Sequence, residues 1–259
     1  MKIGCCVDLR NNELILACKD AGADYIEGSL ALLHGMPQRQ VIALVHLLRD
    51  NNLPLVSFNG MFPGDIRLTG EWVDYQKIDG YLFEAMEKAS LFCPEVIVFG
   101  SSAARNTPNG FQKEYGEKQL EFLLAKHIAP IMDSYQTVCA VEPLRLAESN
   151  LVNTLSDGEK LVQSVNEKRI GLLADFYHMM QNGEDIRELM QLTAPPVHLH
   201  LASKDRKLPH PDDGTDYKAL FDTLKALGYQ GKISIECGID QPYEQNIRTA
   251  VEYLRSMAE

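Results

Sequence analysis

Four apolar runs in the second half of the sequence finish on side chains that bind metals or move protons. "VCAVEPL" closes on Glu142, "IGLLADF" on Asp175, "VHLHLA" on His200 and "ISIECG" on Glu236. A carboxylate carried on an apolar run loses hydration when buried, at a cost of several kcal/mol unless a cation meets it. Three carboxylates and an imidazole converging on one place therefore call for one divalent metal ion. Oxygen-rich ligation with a single nitrogen suits Mn2+ or Mg2+, and also Co2+ or Zn2+, better than any thiolate-seeking metal. In the same stretch His198 shares a strand face with His200, one layer lower. It reads first as a hydrogen-bonded core histidine and second as a group that orients a ligating carboxylate.

Those four residues can meet only if their runs lie side by side with their ends level. Eight short runs read as strands: "IGCCVD", "YIEG", "LVSFN", "VIVFGS", "VCAVEPL", "IGLLADF", "VHLHLA" and "ISIECG". Between them, apolar residues recur at three and four in "ELILACKDAGA", "QRQVIALVHLLRD", "GYLFEAMEKASLF", "EKQLEFLLAKHIAPIMDSY", "YKALFDTLKALG" and "EQNIRTAVEYLRSM", with weaker helices around "GEKLVQSVN" and "DIRELMQL". Strands alternating with helices demand parallel pairing, and this number of units suits a closed (β/α)8 TIM barrel over residues 1–259 as one domain. An open doubly wound sheet is the runner-up. Against it, "VDLRNNE" stands after the first strand where a dinucleotide fingerprint would be.

A barrel carries its chemistry where the strands finish. At the early strand ends Glu27, Asn59, Ser101 and Ser102 are polar groups able to contact hydroxyls, and Phe62 and Phe99 are candidate apolar walls. Arg67 and Arg105 are candidates for a substrate phosphate or carboxylate, each with a surface acid such as Asp65 as the competing partner. "MFPGDIRLTG" and "KDRKLPHPDDGTD" are the polar loops long enough to fold over a site.

Composition narrows the partners. The formal charge is −11, which repels a phosphate backbone over most of the surface, so nucleic acid is disfavoured and no nucleic-acid partner is expected. Asp8 and Arg10 interrupt the start before any secretory apolar segment, and no run approaches the ~20 apolar residues of a membrane span. The expectation is a cytoplasmic protein without a membrane partner. Six cysteines in apolar contexts, with no CxxC pair, read as reduced core thiols. A homo-oligomer is open, since rims of such barrels often pack against neighbours, but no single patch specifies one.

The segments "VEPLRLAESNLVNT", "LLADFYHM", "HLHLASKDR" and "ISIECG" resemble those of the xylose isomerase-like TIM barrels, the superfamily of sugar phosphate isomerases and epimerases and family 2 AP endonucleases. Within it the motifs are most similar to ketose 3-epimerases. The resemblance implies that Glu142, Asp175, His200 and Glu236 bind the metal, and that Glu148, His178 and Arg206 contact the substrate or support its hydrogen bonding. The implied substrate is a small-molecule sugar or sugar phosphate.

The implied reaction removes a proton next to a ketose carbonyl and passes through a metal-stabilised enediolate. Glu142 and Glu236 would act as the two catalytic carboxylates, one on each face of the substrate. A dehydratase that expels a hydroxyl after the same proton abstraction is the alternative. An endonuclease is a weaker one: His178 and the His210 loop could add zinc ligands, but the ends of strands three and four read "SFNG" and "FGSS", without histidine. A sugar-binding barrel without activity is the last alternative.

Overall fold

The computed structural model describes residues 1–258. Eight parallel strands close into a barrel in chain order: β1 (Lys2–Cys6), β2 (Tyr25–Ser29), β3 (Leu55–Asn59), β4 (Val96–Phe99), β5 (Val138–Val141), β6 (Ile170–Asp175), β7 (His198–Leu201) and β8 (Lys232–Ile235). β8 returns to β1, with Lys2 to Cys5 aligned on Lys232 to Ile235, so the sheet has no free edge. All eight expected strands are present, and the open sheet is ruled out by this closure.

The helices are α1 (Asn12–Asp20), α2 (Leu30–Gly35), α3 (Gln38–Asp50), α4 (Tyr75–Ala89), α5 (Ser102–Arg105), α6 (Lys113–Leu123), α7 (Ala129–Ser134), α8 (Leu155–Val165), α9 (Phe176–Asn182), α10 (Tyr217–Ala226) and α11 (Tyr243–Ala258). Side-chain caps set several of their starts. Asn11 accepts from the Leu14 N–H, Asp74 from Lys77, Asp216 from Ala219, and Thr154 and Asp157 form a reciprocal capping box on α8. Each long helix turns one apolar stripe inward, such as Ile78, Leu82, Ala85 and Met86 of α4, to cover the outer face of the barrel. No helix among the described residues is long and apolar enough to cross a membrane.

Three short helices beyond the expected set, α2, α5 and α9, follow the ends of β2, β4 and β6, and two expected helices differ in form. The stretch expected as one helix over 117–135 is continuous but starts earlier, at Lys113, and widens into a π turn at Leu124–Ile128 before α7. Pro130 has no N–H to return to the carbonyl four residues back, and the wide turn absorbs that loss. The helix expected around "DIRELMQL" is a 3-10 segment, Ile186–Gln191, capped by Asp185 and Glu188. All six cysteines are free, but only Cys5, Cys18 and Cys139 are core residues; Cys93 is exposed, and Cys6 and Cys237 are partly buried.

Candidate active site at the strand ends

The strand register levels the late strand ends. Asp175 aligns with His200 and His200 with Ser234, so Glu236, two residues past Ser234, stands one layer above on the same inward face. Glu142 follows β5 directly and its N–H donates to the Phe99 carbonyl at 3.2 Å, while the Glu236 N–H donates to Leu201 at 2.9 Å. Both carboxylates are thus held by ladder bonds that run past the strands proper.

Ligand atoms of Glu142, Asp175 and Glu236 lie within 4.8 Å of one another, together with His178. His200 Nδ1 is 3.2 Å from Glu142 Oε1 and 3.7 Å from Glu236 Oε1. Asp175, His200 and Glu142 are buried, and Glu236 is partly so. Burial pushes the Asp175 carboxyl up to about 6, with Glu236 adding repulsion, and burial and the same neighbours raise Glu142. Burial also opposes charge on His200, but Glu27, Glu236 and Glu142 outweigh it and raise its proton affinity well above the usual imidazole range. Three acids and one imidazole competing for positive charge at one point form a donor set that fits a divalent cation.

The hydrogen bonds separate the two imidazoles. His178 Nδ1 accepts the Arg145 N–H at 3.3 Å, so neutral His178 carries its hydrogen on Nε2 and has no lone pair to offer there. His200 Nε2 instead meets Glu27 Oε1 at 2.9 Å, which leaves Nδ1 facing Glu142 and Glu236. By proximity His178 joins the carboxylates; by lone pairs His200 is the better ligand.

Around this cluster the remaining polar groups are cross-linked. Arg206 donates to Glu148 Oε1 at 2.8 Å and to Glu236 Oε2 at 3.3 Å, and Arg145 donates to the same Glu148 oxygen at 2.7 Å. The Arg206 guanidinium sits 4.9 Å over the Tyr177 ring. Arg206 has φ +55, a conformation that non-glycine residues seldom hold, within a turn closed by Ser203. Asn59 donates to Glu236 Oε1 at 3.0 Å, and Asp175 caps α9 by accepting the His178 N–H at 3.1 Å. A cavity of about 330 Å³ over the cluster is lined by Asn59, Phe62, Ser101, Ser102, His178 and Arg206, among others. It adjoins a second, about 370 Å³, which shares Asn59, Arg206 and Glu236 and adds Cys6 and Cys237. These volumes suit a small ligand.

The seven expected site residues are therefore gathered at one rim, but several early-strand expectations are corrected. Glu27 contacts no cavity hydroxyl: β2 runs on to Ser29, so its side chain lies one layer down and fully buried. Arg105 is also fully buried and is no anion ligand. It donates to the carbonyls of Phe99, Glu142, Leu151 and Val152 at 2.8–3.2 Å and to Ser149, and burial lowers its pKa to about 10. Phe99 is buried behind Phe62 rather than forming the wall itself, and Arg67 is exposed outside the cavity. His210 lies on the exposed outer part of its loop, bonded to Asp213, away from the carboxylates. Gly100 is a further site residue, since a Cβ there would collide with Glu142 Oε2. Its signal was a glycine directly after a strand, the mark of a close approach.

A closed (β/α)8 barrel with three carboxylates and an imidazole at the C-terminal ends of its late strands is the class that fold and geometry define. The chain belongs to the xylose isomerase-like TIM barrel family, which it matches over residues 15–257. A probable ketose 3-epimerase of Synechocystis sp. is 28% identical over 158 residues, 58% of this chain and 54% of the relative. A 3-dehydro-D-guloside 4-epimerase of Escherichia coli is 31% identical over 124 residues, 46% of each chain. The matched stretch spans about half the length of these curated relatives. The crystal structure of a D-psicose 3-epimerase from Clostridium cellulolyticum with D-tagatose superposes with a TM-score of 0.88 over 100% of both chains, at 16% identity, a likeness of fold.

Proposed function

We propose that the protein is a sugar isomerase, most similar in design to ketose 3-epimerases, that uses one divalent metal ion held by Glu142, Asp175, His200 and Glu236. The convergence of these four donors, with His178 and Arg206 at the cavity edge, carries the reading. Mn2+ or Mg2+ suits the oxygen-rich set, with Co2+ or Zn2+ as substitutes. Bound there, the ion supplies Lewis-acid stabilisation of negative charge developing on the sugar oxygens.

The chain's own groups do the rest. A carboxylate oxygen of Glu142 or Glu236 takes the proton from the carbon beside the carbonyl, and the other carboxylate returns one to the opposite face. Asn59 and Arg206 hold the Glu236 carboxylate in place, and Gly100 leaves room for that of Glu142. His178 presents its Nε2 hydrogen to the cavity, and Arg206, steadied by Glu148, adds a charge-assisted donor for the carbonyl end of the sugar. Phe62 and Leu144 supply apolar walls.

Incubation of metal-loaded protein with a panel of ketoses and their phosphates in D2O tests this. Deuterium at C3 is expected for a 3-epimerase; deuterium at C1 or C2 reassigns the protein as an aldose-ketose isomerase. Loss of water from the sugar moves it to the dehydratases. Bound metal without exchange on any member overturns the proposal.

A further inference from the structure

Glu27 is the most deeply placed acid at this end of the barrel, and the reaction proposed above gives it no work. Its side chain is fully buried, and it accepts four hydrogen bonds. Oε1 takes His200 Nε2 at 2.9 Å; Oε2 takes His198 Nε2 at 2.9 Å, Ser57 Oγ at 2.6 Å and Ser234 Oγ at 2.7 Å. Tyr25 OH lies 3.0 Å from the same Ser234 oxygen. These partners come from β2, β3, β7 and β8, so the network ties together the two interior layers marked by His198 and His200. Ser57 and Ser234 both donate to Oε2 and an imidazole faces each oxygen, so the carboxyl group is ringed by donors. An ionised carboxylate only accepts, so both histidines must carry hydrogen on Nε2. His198 Nδ1 then remains buried without a partner among the described residues, although a polar core histidine would ordinarily use both nitrogens. The network is thus arranged around Glu27 rather than around His198.

We infer that Glu27 is a positioning residue, which keeps a His200 hydrogen on Nε2 and turns Nδ1 between Glu142 and Glu236, where it offers its lone pair once a metal ion replaces its proton. A ligand imidazole so held cannot rotate or exchange tautomers, and donation to a carboxylate raises the basicity of the other nitrogen. Ser57, Ser234 and His198 fix the far oxygen, and so set the plane of the carboxylate that His200 must match. The inference rests on His200 as a metal ligand.

Full-length protein, stripped of metal and titrated with Mn2+ alone, gives the test. Glu27→Gln, which keeps the shape and removes the charge, should weaken Mn2+ binding roughly 10- to 100-fold. Its kcat at saturating Mn2+ should fall much less. A purely structural role lowers the melting temperature and leaves the Mn2+ affinity where it was; that result overturns the inference and leaves the proposed function standing. Wild-type protein that binds no divalent ion overturns both. Nitrogen-detected NMR of metal-free wild-type protein keeps the question open to refutation even where Glu27→Gln does not fold. His200 should carry hydrogen on Nε2 throughout, and a neutral Nδ1–H form ends the assignment.

Discussion

At or beside the ends of β5 to β8 the rim presents Glu142, Asp175, His200 and Glu236; at those of β1 to β4 it presents Cys6, Ser29, Asn59 and Gly100. The late half carries charge, and the early half carries small or neutral groups that give that charge room and direction. Gly100 makes way for Glu142, and Asn59 steadies Glu236. Where the early half does hold strong charge, it is turned inward. Arg105 is spent on backbone carbonyls that shape the segment after β5, and Glu27 is spent on the layer beneath His200. A rim can thus be polarised across its diameter, with reactivity on one side and geometry on the other.

The largest effect expected from this contrast is at the late carboxylates. Glu142→Gln and Glu236→Gln should each cut turnover by about 10²- to 10⁴-fold with the melting curve kept, measured by exchange into solvent. Near-native turnover in either removes the two-carboxylate assignment. Arg105→Met should act on stability instead. It strands several buried carbonyls at once, and a loss on the order of 3 kcal/mol in urea unfolding is expected. An unchanged midpoint would show that those bonds are replaceable and that the early half is not the scaffold.

Gly100→Ala sharpens the boundary between the two halves, because the new methyl competes with Glu142 Oε2 for the same space. Misplacing one carboxylate by a fraction of an ångström should reduce turnover about tenfold or more while the protein stays folded. Retained turnover would mean that Glu142 has slack. The smallest effect is expected at Glu184, an acid of the late half outside the cluster. Burial pushes its carboxyl up to about 7, against the Leu155 N–H that it accepts. The folded protein therefore binds this proton more tightly than the unfolded chain, and stability falls as the pH climbs from the usual glutamate range through 7. Glu184→Gln should remove that fall, gaining on the wild type at pH 8 relative to pH 5 in thermal unfolding, with exchange activity unaffected. A pH-independent difference between the two would place the shift elsewhere.

The barrel was legible because each strand is a compact apolar run and each long helix has an unmistakable period. The rim residues of β5 to β8 were legible because a charged side chain at the end of such a run has few cheap explanations. Depth within the barrel was not legible. "YIEG" looks like a strand that stops one residue past its acid, but the pairing continues through Ser29, whose side chain shares the inward face and leaves Glu27 one layer below the rim. Arg105 misled for a related reason. An arginine after a strand reads as an anion site, and only the fold of residues 142–152 around it shows carbonyls already in place to receive the guanidinium. The wide turn inside the helix over 117–135 had its signal in Pro130, which the apolar period on both sides masked.

The turn that carries Arg206 is closed upon itself: the Ser203 N–H donates to the Lys207 carbonyl, and the Ser203 carbonyl and hydroxyl accept from the N–H groups of Arg206 and Lys207. The backbone of this turn is fixed within five residues, and Glu148, Glu236 and the Tyr177 ring then set the direction of the guanidinium. The following stretch is tied back to the same turn, because the Lys204 N–H donates to Thr215 Oγ1 at 3.0 Å, and Asp213 in turn accepts from the Thr215 N–H and the Tyr217 hydroxyl. A change of length in that loop would therefore be felt at the cation rather than absorbed in solvent.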